Sequence, residues 1–415
     1  MALSTSDRNT LRSLAARVAE IAALPVQQEL SRQWRDLNGL RPTRPLIRIF
    51  QIPWHEFAGE AELQLTCEDP WARGLENGLR MTLYQWDHMR DDLVLEPVMR
   101  CGLAIRDTGF GIGEVSDVNN SSGLASRHFH EQIRTLDDVQ KIKLPEVTHD
   151  EEATERGCAQ LSELYDGIMP VQQRGTSHFW FAPWDSLITW YGVETAMLDM
   201  ALQPDLVNAA MSRLVDAWLH RLDQYEALNL LSLGGPGEGA GSGGLSMTDE
   251  LPQPDCDPAR VRPMDLWGCA TPQIFSEISP AMHQEFALQH ELRWLERWGL
   301  NYYGCCEPLH TKIDLLRQVP RLRKISCSPK CDKVSMAEQC GTDYVISLKP
   351  NPAIFAGSYW DPEVARREIR EDLEKLKGCV VEIILKDIST VSFQPQRLWL
   401  WAQIAREEAE RFVSA

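Results

Sequence analysis

The chain has 415 residues, 43% of them hydrophobic and 25% charged, with a formal net charge of −18. That length supports a large globular unit without disulfide staples. The negative field argues against nucleic acid or an anionic membrane as partner, and no window approaches the roughly 20 uninterrupted apolar residues that a membrane helix needs.

The N-terminus, MALSTSDRNTLRSLAARVAEIAAL, has no secretory layout. Its Ser/Thr/Asp cluster reads as a helix cap, and Leu11, Leu14, Val18 and Ile21 repeat at helical spacing. A cytoplasmic location is expected. The eleven cysteines fall at irregular spacings, so no disulfide framework is expected and the thiols are read as reduced. Residues 1–43 are taken as an N-terminal helical extension.

From residue 44 onward, short apolar runs alternate with helical patterns. RPLIRIFQIP (44–53) reads as a strand, about 76–104 as a long helix, GIMPVQQRG (167–175) as a strand and 186–229 as two or three helices. LLSLGG (230–235) is strand-like and runs into a glycine-rich loop; a helix is expected at 280–298, followed by NYYGCC. The last third keeps the same rhythm: helix 312–319, strand 322–329, helix 332–341, strand 343–350, helix 361–378, strand 379–387 and a closing helix at 395–412. Short strands that are apolar on both faces and separated by helices are parallel strands buried between helices. The pattern favours a closed (β/α)8 TIM barrel over residues 44–415. An open doubly wound sheet is the competitor, but no G-x-G-x-x-G follows the first strand.

A barrel places its active site at the C-terminal ends of the strands. CCEPLH (305–310) lies at one such end and offers thiolate, carboxylate and imidazole, the usual zinc ligands. Strand alternation turns Cys305 away from Cys306 unless a turn begins there. The competing reading is a turn in which one cysteine packs under a helix and Glu307 caps the next helix. CSPKCD (327–332) reads as a proline turn with two incidental thiols. GEGAGSGGLSMTDE (237–250) lacks the ending of a phosphate loop, and is read as a substrate-covering loop that ends in a fixed acid, Asp249 or Glu250. His55, His178, Trp180 and Trp267 crowd the same strand ends as candidate substrate-binding groups; ordinary packing is the alternative for each.

RPLIRIFQIPWHEF, GVETAMLDMALQPDLVNAAMSRLVDAW, NYYGCCEPLHTKIDLL and VVEIILKDISTVSFQPQRLWLWAQIA together resemble the uroporphyrinogen decarboxylase-like superfamily. The resemblance runs from about residue 44 to the end. It implies a (β/α)8 barrel and, in the zinc- and corrinoid-dependent methyltransferase branch, a His-x-Cys pair at the strand matching Tyr302–Cys306 plus a later cysteine. Gly304 stands where that histidine would be, and residues 386–390 hold no cysteine. A variant zinc set of Cys306, Glu307 and His310 is the resulting expectation. No match to the arginine cluster of the porphyrinogen decarboxylases is found.

The expected function is methyl transfer from a small methylated substrate, such as an aryl methyl ether, to the corrinoid of a partner protein. Zinc would act on the ether oxygen, and Asp249, Glu250 or Asp387 would supply a proton. The alternatives are a metal-independent decarboxylase or lyase of a small acid, and a non-catalytic binding barrel. A homodimer is compatible with each.

Overall fold

The computed structural model describes residues 3–119 and 126–414. Its centre is a six-stranded sheet in the order Leu46–Ile49, Val380–Leu385, Val345–Leu348, Leu322–Cys327, Leu300–Tyr303, Trp267–Ala270. Every neighbouring pair is parallel. The expected strands of the last third are all present, because runs such as VISL and VVEIIL are buried along almost their whole length.

The two sheet faces differ. Tyr303, Ile325, Ile346, Ile383 and Leu385 point into the main apolar core against the helices. The alternate residues Tyr302, Lys324, Ser326, Ser347 and Glu382 are polar, yet fully buried on the other side. This is strand alternation with an unusual content: a polar inner face that must be satisfied by partners rather than by water.

Several of those partners come from the glycine-rich loop, whose 240–245 segment is packed inside. Ala240, Ser242 and Leu245 are buried. Gly244 N–H donates to Glu382 Oε1 at 3.0 Å, and Ser242 Oγ lies 3.0 Å from Tyr302 Oη. Gly241 has φ +57°, and a Cβ there would overlap the Tyr302 ring; one at Gly244 would overlap the Trp34 indole. Gly241 and Gly244 serve close approach to Tyr302 and Trp34.

Among the described residues, the hydrogen-bonded ladder is not continuous around a closed barrel. At the edge strand, Ile47 N–H donates to Asp92 Oδ2 at 2.7 Å and Ile49 N–H to Asp91 Oδ2 at 2.9 Å, so carboxylates stand where a neighbouring strand would pair. Arg44 and Arg406 hold Asp92, and Arg48 holds Asp91. Beyond the other edge, Trp267 Nε1 donates to Ser246 O of the glycine loop at 2.8 Å. Met99–Gly102 and Val171–Arg174 form a separate parallel pair, and Thr176 bridges Leu231 in the same sense.

The helix expected over about 76–104 is shorter and earlier. Pro70–Tyr84 is helical, a π-turn follows over Gln85–Met89, and Arg90 at φ +44° stops it. The extended chain beyond then carries Asp91 and Asp92 to the sheet edge. In the N-terminal region, Thr5–Ala22 packs on Pro70–Tyr84 in a small second core, and Pro25–Asn38 lays Trp34 against the sheet. Asn38 Nδ2 donates to Leu245 O and Met247 O.

The expectation of fully reduced thiols is also corrected. Cys101 and Cys158 form a disulfide joining the Met99–Gly102 strand to the Glu151–Tyr165 helix, 57 residues apart in sequence. Cysteine count cannot show which two segments the fold packs together. Among the described residues, no helix is long and apolar enough to cross a membrane.

Candidate functional site

Because the six strands run parallel, their C-terminal ends share one edge, and the sequence there is rich in ionisable groups. The Leu300–Tyr303 strand ends in Gly304, whose φ is +95° and whose Cβ, if present, would overlap Leu309. Glycine permits this sharp exit. It also cancels the alternation that was expected to turn the next two side chains apart: Cys305 Sγ and Cys306 Sγ lie 3.5 Å from each other.

Two neighbouring strands each end in a lysine. Lys386 follows Leu385, and its Nζ is 3.0 Å from Cys305 Sγ and 2.9 Å from Asp387 Oδ2. Asp387 Oδ2 is in turn 3.7 Å from Cys306 Sγ. Lys349 follows Leu348 and donates to Tyr302 Oη at 2.9 Å and Ser347 Oγ at 2.7 Å. Cys305, Lys349 and Lys386 are buried, whereas Cys306 and Asp387 are exposed.

The charges follow from this geometry. The Cys306 thiol donates toward Cys305; burial opposes ionisation, and Lys386 and Lys349 favour it, leaving Cys305 at about 6. Cys306 is held well above the ordinary thiol value, because it donates to Cys305 and would be a second anion beside it. The two sulfurs therefore share one proton and titrate as a pair. Burial brings Lys349 down to about 8. Lys386 is held above its ordinary value by Cys305 and Asp387, against the effect of burial.

Two acids stand close by. Glu307 is buried, accepting from Thr271 Oγ1 at 3.0 Å and from the Cys305 N–H at 2.9 Å, and burial lifts it to about 7. Asp185, near the start of the Pro183–Tyr191 helix, accepts from Gln273 Nε2 at 2.5 Å and is lifted to about 6 by burial. Trp180 lies beside Asp185 and is exposed. His178 Nε2 is 3.9 Å from Cys269 Sγ, and burial lowers its pKa.

Not every expected residue joins this group. Asp249 pairs with Arg41 at 2.7 Å, and Glu250 with Arg323 at 2.8 Å. Arg323 lies near the start of its strand, so both acids sit at the opposite end of the sheet from the thiols. They clamp the end of the glycine loop and are corrected as proton donors. Trp267 is buried with Lys324 Nζ 5.6 Å from its ring, a wall of the inner face. His55 is exposed on the Trp54–Phe57 turn.

The expected zinc set is not assembled. Both Glu307 oxygens are engaged inward, and the His310 ring lies against Cys331 with its Nδ1 buried and unbonded. Cys306 instead neighbours Cys305 and Asp387, where the Lys386 ammonium already supplies positive charge. Among the described residues, no three His, Cys, Asp or Glu side chains converge as a metal site. Sequence reasoning assigned no role to Cys305, Lys349 or Lys386. The one available signal was the matched pair VISLK and EIILK, each an apolar run ending in lysine at a strand end.

No protein-family model matches the sequence, and no curated protein does. Among solved structures, the chain is similar to a methyltransferase from Methanosarcina mazei, at 12% identity over 91% of this chain and 98% of that one, with a TM-score of 0.48. A likeness this loose carries no argument about chemistry.

Proposed function

We propose that the chain is a methyl-transfer enzyme in which the Cys305–Cys306 pair receives the methyl group. The observation that supports this is a buried cysteine sulfur 3.0 Å from a buried lysine nitrogen, with a second sulfur at 3.5 Å. A methyl carbon is a soft electrophile, and a thiolate is the nucleophile suited to it. With an aryl methyl ether, the sulfur–carbon bond forms as the carbon–oxygen bond breaks, and the electron pair leaves on the aryl oxygen. One negative charge moves from sulfur to oxygen, and Lys386 remains to balance it. The reading needs no contribution from Asp249 or Glu250, and no step is assigned to zinc. A reduced corrinoid on a partner protein would supply a nucleophile strong enough for onward transfer. As part of the same proposal, the six-stranded sheet, the Met99–Gly102/Val171–Arg174 pair and the Leu231 bridge are read as one barrel with an interrupted ladder.

The test is a single turnover with a methoxyphenol carrying an isotopically labelled methyl group. Label on the peptide containing Cys305 and Cys306, absent when both are serine, supports the reading; an unlabelled peptide and no phenol release reject it. Lys349, Lys386 and the near-neutral acid Glu307 favour one second reading, decarboxylation of a small acid whose carboxylate the lysines bind. Carbon dioxide release with the dithiol replaced by serines would select it.

A further inference from the structure

We propose that Cys305 and Cys306 form a site of reversible oxidation, at which a hydroperoxide converts the dithiol to a vicinal disulfide. Three features of the geometry combine here. Cys306 is exposed, so a small peroxide can reach its sulfur. Cys305 Sγ stands 3.5 Å behind it, at the distance of a resolving thiol. Lys386 Nζ, 3.0 Å from Cys305, keeps one negative charge on the pair. Oxidisable cysteines combine thiolate character, access and a neighbouring resolving cysteine.

The reaction balances without a metal or a second protein. The shared proton passes from Cys306 to Cys305, and the exposed sulfur so ionised attacks one oxygen of hydrogen peroxide. The oxygen–oxygen bond breaks, leaving a sulfenic acid on Cys306 and a hydroxide. That hydroxide takes the Cys305 proton to give water. The Cys305 thiolate then attacks the Cys306 sulfur and displaces a second hydroxide as the sulfur–sulfur bond forms. The peroxide is reduced and two thiol sulfurs are oxidised; a dithiol reductant reverses the change.

The backbone favours a transient bond. Adjacent Cα atoms across a trans peptide are about 3.8 Å apart, short of the roughly 4.4–6.8 Å usual for a disulfide. Strained bonds of this kind are the readily reduced ones. The other free thiols are poorly placed to compete. Cys67, Cys269, Cys327, Cys331 and Cys340 are buried. Cys256 and Cys379 are half-buried, and burial pushes both thiols up.

The oxidation stands on the dithiol geometry and is independent of the methyl-transfer reading. The full-length protein, freshly reduced, is exposed to a slight excess of hydrogen peroxide, quenched with iodoacetamide, digested and examined by mass spectrometry. The peptide spanning Cys305 and Cys306 should lose two hydrogens and resist alkylation before Cys256 or Cys379 changes, and dithiothreitol should restore it. Lys386→Met should slow this by about tenfold through loss of thiolate. Lys386→Arg, which keeps the charge, should stay near the parent rate and controls for misfolding. Cys305→Ser should let Cys306 oxidise without forming the internal disulfide. A wild-type pair still alkylatable after Cys256 or Cys379 has oxidised overturns the proposal, as does direct passage to sulfonic acid. Disulfide formation without methyl labelling would reject the proposed function and leave this site standing. Methyl labelling with a peroxide-inert pair would do the reverse.

Discussion

Lys324 Nζ donates to Glu382 Oε2 at 2.8 Å, and neither side chain has any solvent exposure. The pair crosses the inner face of the sheet between two strands, with Lys324 5.5 Å from the Trp34 ring and 5.6 Å from the Trp267 ring. Glu382 also accepts from Gly244 N–H, so the same carboxylate anchors the glycine loop. A buried pair of this kind is costly to break and cheap to replace whole.

Lys324→Met should therefore destabilise the protein by about 3–5 kcal/mol, because it leaves an uncompensated carboxylate. Adding Glu382→Leu should recover much of that loss. Urea unfolding of the two single variants and the double variant measures both. A Lys324→Met protein within about 1 kcal/mol of wild type would show that water reaches this face.

The inward loop makes a separate prediction. Gly241→Ala must fit a Cβ against the Tyr302 ring at φ +57°, and should cost about 1–3 kcal/mol from overpacking and backbone strain. Gly78 lies in the Pro70–Tyr84 helix with open space around its Cα. Gly78→Ala should instead be neutral or stabilising by up to about 1 kcal/mol. Paired thermal melts distinguish an interior loop from a surface one, on which both changes would be mild.

The link between Lys386 and Cys305 predicts a titration. In a Cys306→Ser background, Cys305 should alkylate with a midpoint near 6, since serine retains a donor toward the sulfur. Adding Lys386→Met should move the midpoint up toward the free-thiol value of about 8.5. The rate of iodoacetamide modification against pH gives both midpoints. Coincident curves would mean the ammonium does not set the sulfur charge.

Stability should fall as pH rises from the acidic range to about 8. Glu291 accepts from Tyr303 Oη at 2.5 Å and is lifted to about 8 by burial, and Glu307 is lifted to about 7. Unfolded, both titrate near about 4.3. Between the unfolded and folded values the native state binds more protons, so its advantage is complete below about 4.3 and drains away as pH rises through 7 and 8. Melting temperature should decline from pH 5.5 to 8.5. Glu291→Gln, which cannot ionise, should flatten that slope, and a slope unchanged in this variant would remove Glu291 as its cause.

The sequence alone determined what local physics writes along the chain. Apolar runs such as VISL and VVEIIL are strands because they bury both faces, and Asp361–Pro362 starts a helix because the aspartate caps it. CCEPLH was legible as a strand end for the same reason, since helical crossovers keep strands parallel. Tertiary structure decided everything that depends on partners far apart in sequence. Lys386 and Cys305 are 81 residues apart, and no spacing rule joins them. Whether the glycine loop faces solvent or the polar inner face rests on Glu382 and Tyr302, far downstream of it. Asp249 and Glu250 looked like acids at a substrate loop, but Arg41 and Arg323 hold them at the other end of the sheet. Alternation placed Cys305 and Cys306 on opposite faces, and one left-handed glycine at 304 ended the strand before that rule could apply. Local propensity sets where elements begin and end; which charges meet is set by long-range packing, which gives each charge its solvent and its neighbour.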